Sequence, residues 1–131
     1  MRSRILFISG RQEDARCLSH MLHRLPMVIR HVETVQQART RLQLEEYAVI
    51  LTEAALPDGG WLDVLRLSRE CPQELEVVVT DPQADSRLWA EALNLGAYDL
   101  LAQPFYEPEV RRILYNACSR RSYQTFSAAA V

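Results

Sequence analysis

Tyr47-Ala48-Val49-Ile50-Leu51-Thr52-Glu53-Ala54-Ala55-Leu56-Pro57-Asp58-Gly59-Gly60 runs from an apolar, β-branched stretch through one acid into a Pro/Gly turn. The stretch reads as a strand that delivers Glu53 to a turn just past its end. In a parallel α/β sheet the carboxyl ends of the strands open onto a crevice that helices leave uncovered. Glu53 is therefore the first candidate for a functional group.

Working outward, short apolar or β-branched runs recur at 4–8, 28–32, 48–52, 77–80 and 98–102, which predicts five strands. Amphipathic stretches separate them. Cys17, Leu18, Met21, Leu22 and Leu25 fall on one face of a helix over about 12–24, with Arg16, His20 and His23 largely on the other. A second helix turns Val35, Ala38 and Leu42 inward, and a third has Leu62, Leu65 and Leu67 among its apolar positions. A fourth, over about 85–95, stops at Gly96, a suitable left-handed cap. The fifth starts near Pro108, which suits a first helical turn, and runs to about residue 120. A (βα)5 alternation of this kind predicts a doubly wound parallel sheet with helices on both faces. Residues 1–121 form the expected domain, and 122–131 a frayed tail or the start of a linker.

Composition narrows the class. A chain of 131 residues, 48% hydrophobic and 24% charged, fits one soluble globular domain and buries roughly two-thirds of its unfolded surface. A net charge of −2 exerts no broad pull on nucleic acid. The apolar regions 42–56 and 88–101 are interrupted well short of a membrane span, and the run after the basic Met1-Arg2-Ser3-Arg4 is too short for a signal core. A cytoplasmic domain is expected, with no membrane and no direct nucleic-acid partner. Cys17, Cys71 and Cys118 are odd in number and far apart, so neither a disulfide framework nor a CxxC metal clip is indicated. All 15 basic residues are arginine, and without lysine no amine chemistry is available beyond the N-terminus.

Three ordered matches carry a family resemblance: Leu56-Pro57-Asp58-Gly59 after strand three, Val79-Thr80 ending strand four, and Gly96-Ala97-Tyr98-Asp99-Leu100-Leu101-Ala102-Gln103-Pro104-Phe105 around strand five. Together they make residues 4–118 resemble the receiver domain of response regulators, the CheY-like family. The resemblance implies a flavodoxin-like fold of strand order 2-1-3-4-5 and a cis Gln103–Pro104 bond, against a frequency of about 5–6% for X-Pro bonds generally. In that family two acids after strand one hold Mg²⁺, and an aspartate after strand three accepts phosphate. A Ser/Thr after strand four contacts the phosphate, and a strand-five lysine before proline pairs with it.

Only Thr80 of that set is kept here. Ser9-Gly10 stands in place of the acidic pair, Glu53 in place of the acceptor and Gln103 in place of the lysine. Hard cations need several oxygen ligands, the extra methylene of Glu53 moves its oxygen, and Gln103 cannot neutralise a phosphoryl group. Asp81 stands where the family has a small residue, and either caps the loop into helix four or adds charge near Glu53. Arg11 is the nearest counter-charge in sequence for Glu53 or Asp81. No metal and no cofactor is expected, and no catalytic residue.

The remaining features have blander readings. Thr is common in strands, so Thr80 alone carries little. Cys17-x-x-His20-x-x-His23 has metal-like spacing, but the inferred core stripe draws Cys17 inward and leaves both histidines outside. His31 is expected to be a satisfied or edge-exposed strand histidine. Core packing is expected for Trp89, whereas Trp61 divides evenly between core and partner anchor. Leu100 sits where the family often has an aromatic switch. Arg111, Arg112, Arg120 and Arg121 give the last helix a basic side that complements its dipole.

These readings favour an atypical receiver that regulates a protein partner or an attached output domain by contact, without conventional aspartate phosphorylation and without enzyme activity. A homodimer through the helix four to helix five face is one form of that contact. One alternative is a two-component phosphoacceptor working at Glu53 or a neighbouring Asp. Another is a small-ligand domain using the crevice around Ser9, Glu53, Asp81 and Gln103.

Overall fold

The computed structural model describes residues 2–130, with side chains through residue 119. In chain order it contains β1 (Ser3–Ile8), α1 (Gln12–Met21), β2 (Met27–Val32), α2 (Val35–Leu44) and β3 (Val49–Glu53). A short hairpin of β4 (Ala55–Leu56) and β5 (Gly59–Gly60) follows, then α3 (Trp61–Glu70), β6 (Glu76–Asp81), α4 (Ser86–Asn94), β7 (Asp99–Ala102) and α5 (Glu107–Ala130). The main sheet runs β2-β1-β3-β6-β7 with every pair parallel. Because the hairpin takes two strand numbers, this is the expected 2-1-3-4-5 order.

Strand alternation explains the two cores. Ile5, Phe7, Val49, Leu51, Val78 and Leu101 point to one face of the sheet, where Ala15 and Leu18 of α1 and Val110, Ile113 and Leu114 of α5 cover them. Leu6, Ile8, Ile50, Val77 and Val79 point to the other, under Val35 and Ala38 of α2, Trp61 and Val64 of α3 and Ala92 of α4. Each fully buried Leu, Ile, Val or Phe among them contributes about 1.5–3 kcal/mol. Central strands that read as unbroken apolar runs are what a sheet covered on both faces requires.

Two expectations about individual residues change, one open choice is settled, and one helix runs on. Cys17 is exposed, because the buried positions of α1 are only Ala15 and Leu18, continued by Leu22 just past its end. Trp89 is 50% exposed, since α4 lies over the sheet with Ala92 as its one buried residue. Trp61 is 8% exposed and packs in the core, while Leu62 beside it is on the surface. The backbone of α5 remains helical past residue 120, where a frayed tail or the start of a linker was expected from residue 122, and no Gly or Pro interrupts that stretch. Gly96 does end α4 with φ 108°, and a Cβ there would come within 2.6 Å of Arg69 Nη2.

The β4–β5 turn earns its sequence by capping a helix far away in the chain. Asp58 Oδ1 and Oδ2 accept from the backbone N–H groups of Val35 (2.8 Å) and Gln36 (3.1 Å). Thr34 Oγ1 accepts from Gln37 N–H (3.1 Å), so the orphan donors of Val35, Gln36 and Gln37 in the first turn of α2 are met, and the Thr34 carbonyl accepts the first helical bond from Ala38 N–H (3.1 Å). The two backbone donors hold the Asp58 carboxyl below the ordinary aspartate range. A depressed pKa gives stability that is present above the unfolded value and is lost as pH falls through the folded one. Asp58→Ala is therefore expected to lower the thermal midpoint at pH 7, with the gap to the native chain shrinking below pH about 4. Thermal melts at pH 7 and pH 3 check this, and a gap that stays constant would contradict it.

Candidate functional site

Parallel register sets the site. Ile8 lies beside Thr52, Glu53 beside Thr80, and Thr80 beside Leu101, so β1, β3, β6 and β7 end at one edge of the sheet. Ser9, Glu53, Thr80, Asp81 and Gln103 are all delivered there, as the alternation predicts.

Two short polar pairs fill that edge. Ser9 is fully buried, and its hydroxyl donates to Glu53 Oε1 while accepting from Arg11 N–H at 3.0 Å. Glu53 is half-buried, at the end of β3. Thr80 is also fully buried; Oγ1 donates to the Leu101 carbonyl at 2.6 Å and accepts from Gln103 Nε2 at 3.1 Å. Gln103 precedes Pro104 across a cis bond, as the resemblance implies. In the β3 strand itself, Thr52 Oγ1 donates to the Glu53 carbonyl at 2.9 Å.

The structure separates the two readings of Asp81. Its Oδ1 accepts from Gln83 N–H at 2.7 Å, so it braces the loop into α4. Arg11 enters the site through its backbone; among the described residues its guanidinium makes none of the ion pairs, and the proposed counter-charge to Glu53 or Asp81 is not formed. Gly10 is exposed, with open space around the position of a Cβ.

One participant was not legible in the sequence. His31 Nε2–H donates to the Ser9 carbonyl at 2.7 Å, and its ring lies against Phe7 with centroids 5.7 Å apart. The signal is the β1–β2 register, which places His31 beside Phe7, and register is invisible until strands pair. The Cys17, His20 and His23 trio fails on different grounds from those expected. All three are exposed, but His23 lies beyond the end of α1, and among the described residues no group of three or more His, Cys, Asp or Glu is placed to hold a metal ion.

Chemically, the edge holds one carboxylate satisfied by a neutral hydroxyl, and one buried hydroxyl satisfied by a neutral amide. Phosphoryl transfer depends on positioning and on cations that stabilise the charge spread over the transferred group. No lysine exists in the chain to supply one.

No family model matches this chain. In sequence it is 25% identical over 121 residues to the response regulator protein PilR of Pseudomonas aeruginosa, covering 92% of this chain and 27% of PilR. It is 29% identical over 115 residues to the transcriptional regulatory protein KdpE of Staphylococcus aureus, covering 85% of this chain and 48% of KdpE. The chain thus spans less than half the length of these relatives. In structure it superposes on the signal receiver domain of a LuxO-repressor-like protein from Vibrio parahaemolyticus with a TM-score of 0.89 at 20% identity, covering 97% of this chain and 98% of that one. Sheet order and superposition thus give this chain the fold of solved receiver domains, and the curated proteins it resembles in sequence are response regulators.

Proposed function

We propose that this receiver domain works by protein–protein contact, on an attached output domain or a separate partner, without conventional aspartate phosphorylation and without enzyme activity of its own. The observation that carries the reading is the bond from the Ser9 hydroxyl to Glu53, which sets a neutral donor where the family places its metal-binding acids. Gln103 repeats the pattern on the other side, donating to Thr80 where a cation would be required. Both bonds lie within the chain, so Glu53 Oε1 and Thr80 Oγ1 each have an internal partner.

Exposed Trp89 (50%), Leu93 (40%), Tyr106 (65%) and Tyr115 (47%) support a contact surface on α4, α5 and the segment before α5. Aromatic side chains of this kind supply much of the energy at protein interfaces, and a homodimer is one contact that face would serve. A cytoplasmic setting belongs to the same proposal. Among the described residues no helix is long and apolar enough to cross a membrane.

Incubation with acetyl phosphate and Mg²⁺, followed by intact mass spectrometry, tests the reading. The native chain is expected to stay unmodified. A stoichiometric phosphoryl adduct on Glu53 or a neighbouring aspartate would overturn it in favour of a working phosphoacceptor.

A further inference from the structure

β2 is an edge strand, paired only with β1. The ladder begins with Ser3 N–H to the Pro26 carbonyl (2.9 Å) and closes with Ser9 N–H to the Val32 carbonyl (3.0 Å). In a parallel ladder the residues of one strand alternate between bonding a neighbour and facing away from it. Even-numbered Val28, Arg30 and Val32 thus bond β1, and the backbone N–H and C=O groups of Ile29 and His31 face outward.

Beside that open edge runs a groove between α1 and β2. Two neighbouring clefts of about 370 and 340 Å³ lie along it, with Ser19 and Ile29 lining both. Its apolar lining includes Ala15, Leu22 and Ile29. Arg2, Arg16 and Arg24 give it its charge, His23 and His31 also line it, and no acid lines either cleft. Glu13, Asp14 and Glu33 are near in sequence but outside the lining. Among the described residues none of the three arginines is in an ion pair. In a chain of net charge −2, this is a local concentration of unpaired cations.

We infer that the α1–β2 groove docks an extended peptide segment carrying Asp or Glu at alternate positions, which adds a strand to the free edge of β2. Its backbone completes the hydrogen bonds of Ile29 and His31, as in other strand-addition complexes. Strand period two then presents every second side chain to the same rim, so alternate acids meet the arginines. An unpaired backbone edge next to an apolar floor suits a polypeptide better than a nucleic acid, which would use the charge and leave the edge unsatisfied. His31 links this groove to Ser9 at the Glu53 edge, but the inference stands whether or not the chain accepts phosphate.

Fluorescence anisotropy with a labelled peptide of alternating Val and Glu, at moderate salt, tests the inference. Saturable binding is expected, with none for the alternating Val and Lys peptide. The double variant Arg2→Glu/Arg16→Glu should weaken binding by about tenfold or more. N-methylation of the peptide on the edge facing β2 should abolish it, and amide exchange at Ile29 and His31 of the native chain should slow on binding. The exchange readout needs no variant to fold. Absence of saturable binding, binding indifferent to N-methylation, or unchanged exchange at Ile29 and His31 would each overturn the inference. So would binding of single-stranded RNA or anionic vesicles in preference to the peptide.

Discussion

The quadruple variant Ser9→Asp, Gly10→Asp, Glu53→Asp, Gln103→Lys is expected to take up one phosphoryl group from acetyl phosphate in millimolar Mg²⁺, whereas the native chain takes up none. Each change restores one missing requirement. Two carboxylates after β1 supply hard oxygen ligands for the metal, and the shorter acid at the end of β3 withdraws the oxygen that now reaches Ser9. The lysine brings a cation to the side where Gln103 Nε2 now touches Thr80 Oγ1 at 3.1 Å. The space is available: a Cβ at Gly10 meets no atom within 4 Å, and shortening residue 53 makes room for the larger side chain at buried Ser9. The carboxylate attacks phosphorus and acetate leaves, a displacement that the metal and the lysine promote by stabilising charge. Intact mass decides the matter, with Mg²⁺ omission as the control. If the variant folds and remains unmodified, the missing groups are not what silences this site.

Phe7→Ala is expected to destabilise the domain by about 3–5 kcal/mol, out of a total of about 5–15 kcal/mol for a domain of ordinary stability. Phe7 is fully buried on central strand β1, between β2 and β3, and its ring also supports His31. Removing it leaves a cavity that the neighbouring strands cannot collapse into without losing register. The thermal midpoint should fall by roughly 10–20 °C. Buried Trp61 gives a fluorescence signal for urea unfolding, and a loss below about 1 kcal/mol would show that the core refills the space.

How much of this was legible in the sequence can be judged residue by residue. The strands were, because a parallel sheet covered on both faces demands continuous apolar runs, and 48–52 or 77–80 fit little else at that length. The gathering of Glu53, Thr80 and Gln103 at one edge followed as soon as the strands were taken as parallel. The end of α4 at Gly96 was equally plain, since a positive φ selects glycine. Helix faces were less legible. Cys17 stands one position from buried Leu18 and Trp89 one position from partly buried Leu88, and a shift of 100° around a helix decides exposure.

By itself the sequence determined the alternation of strands and helices, the carboxyl-edge position of Glu53 and the absence of every lysine. Those are properties of local pattern and residue identity, which need no knowledge of what lies across the fold. Only the tertiary structure decided that Glu53 is held by Ser9 and not by Arg11, that Asp81 braces its own loop, that Asp58 caps α2, and that β2 leaves an arginine-rimmed edge open. Each of these joins groups whose meeting depends on strand register or helix rotation. The pairs Ser9–Glu53 and Val35–Asp58 lie 44 and 23 residues apart, and a side chain reaches such a partner only once the backbone has been fixed to within an ångström or so.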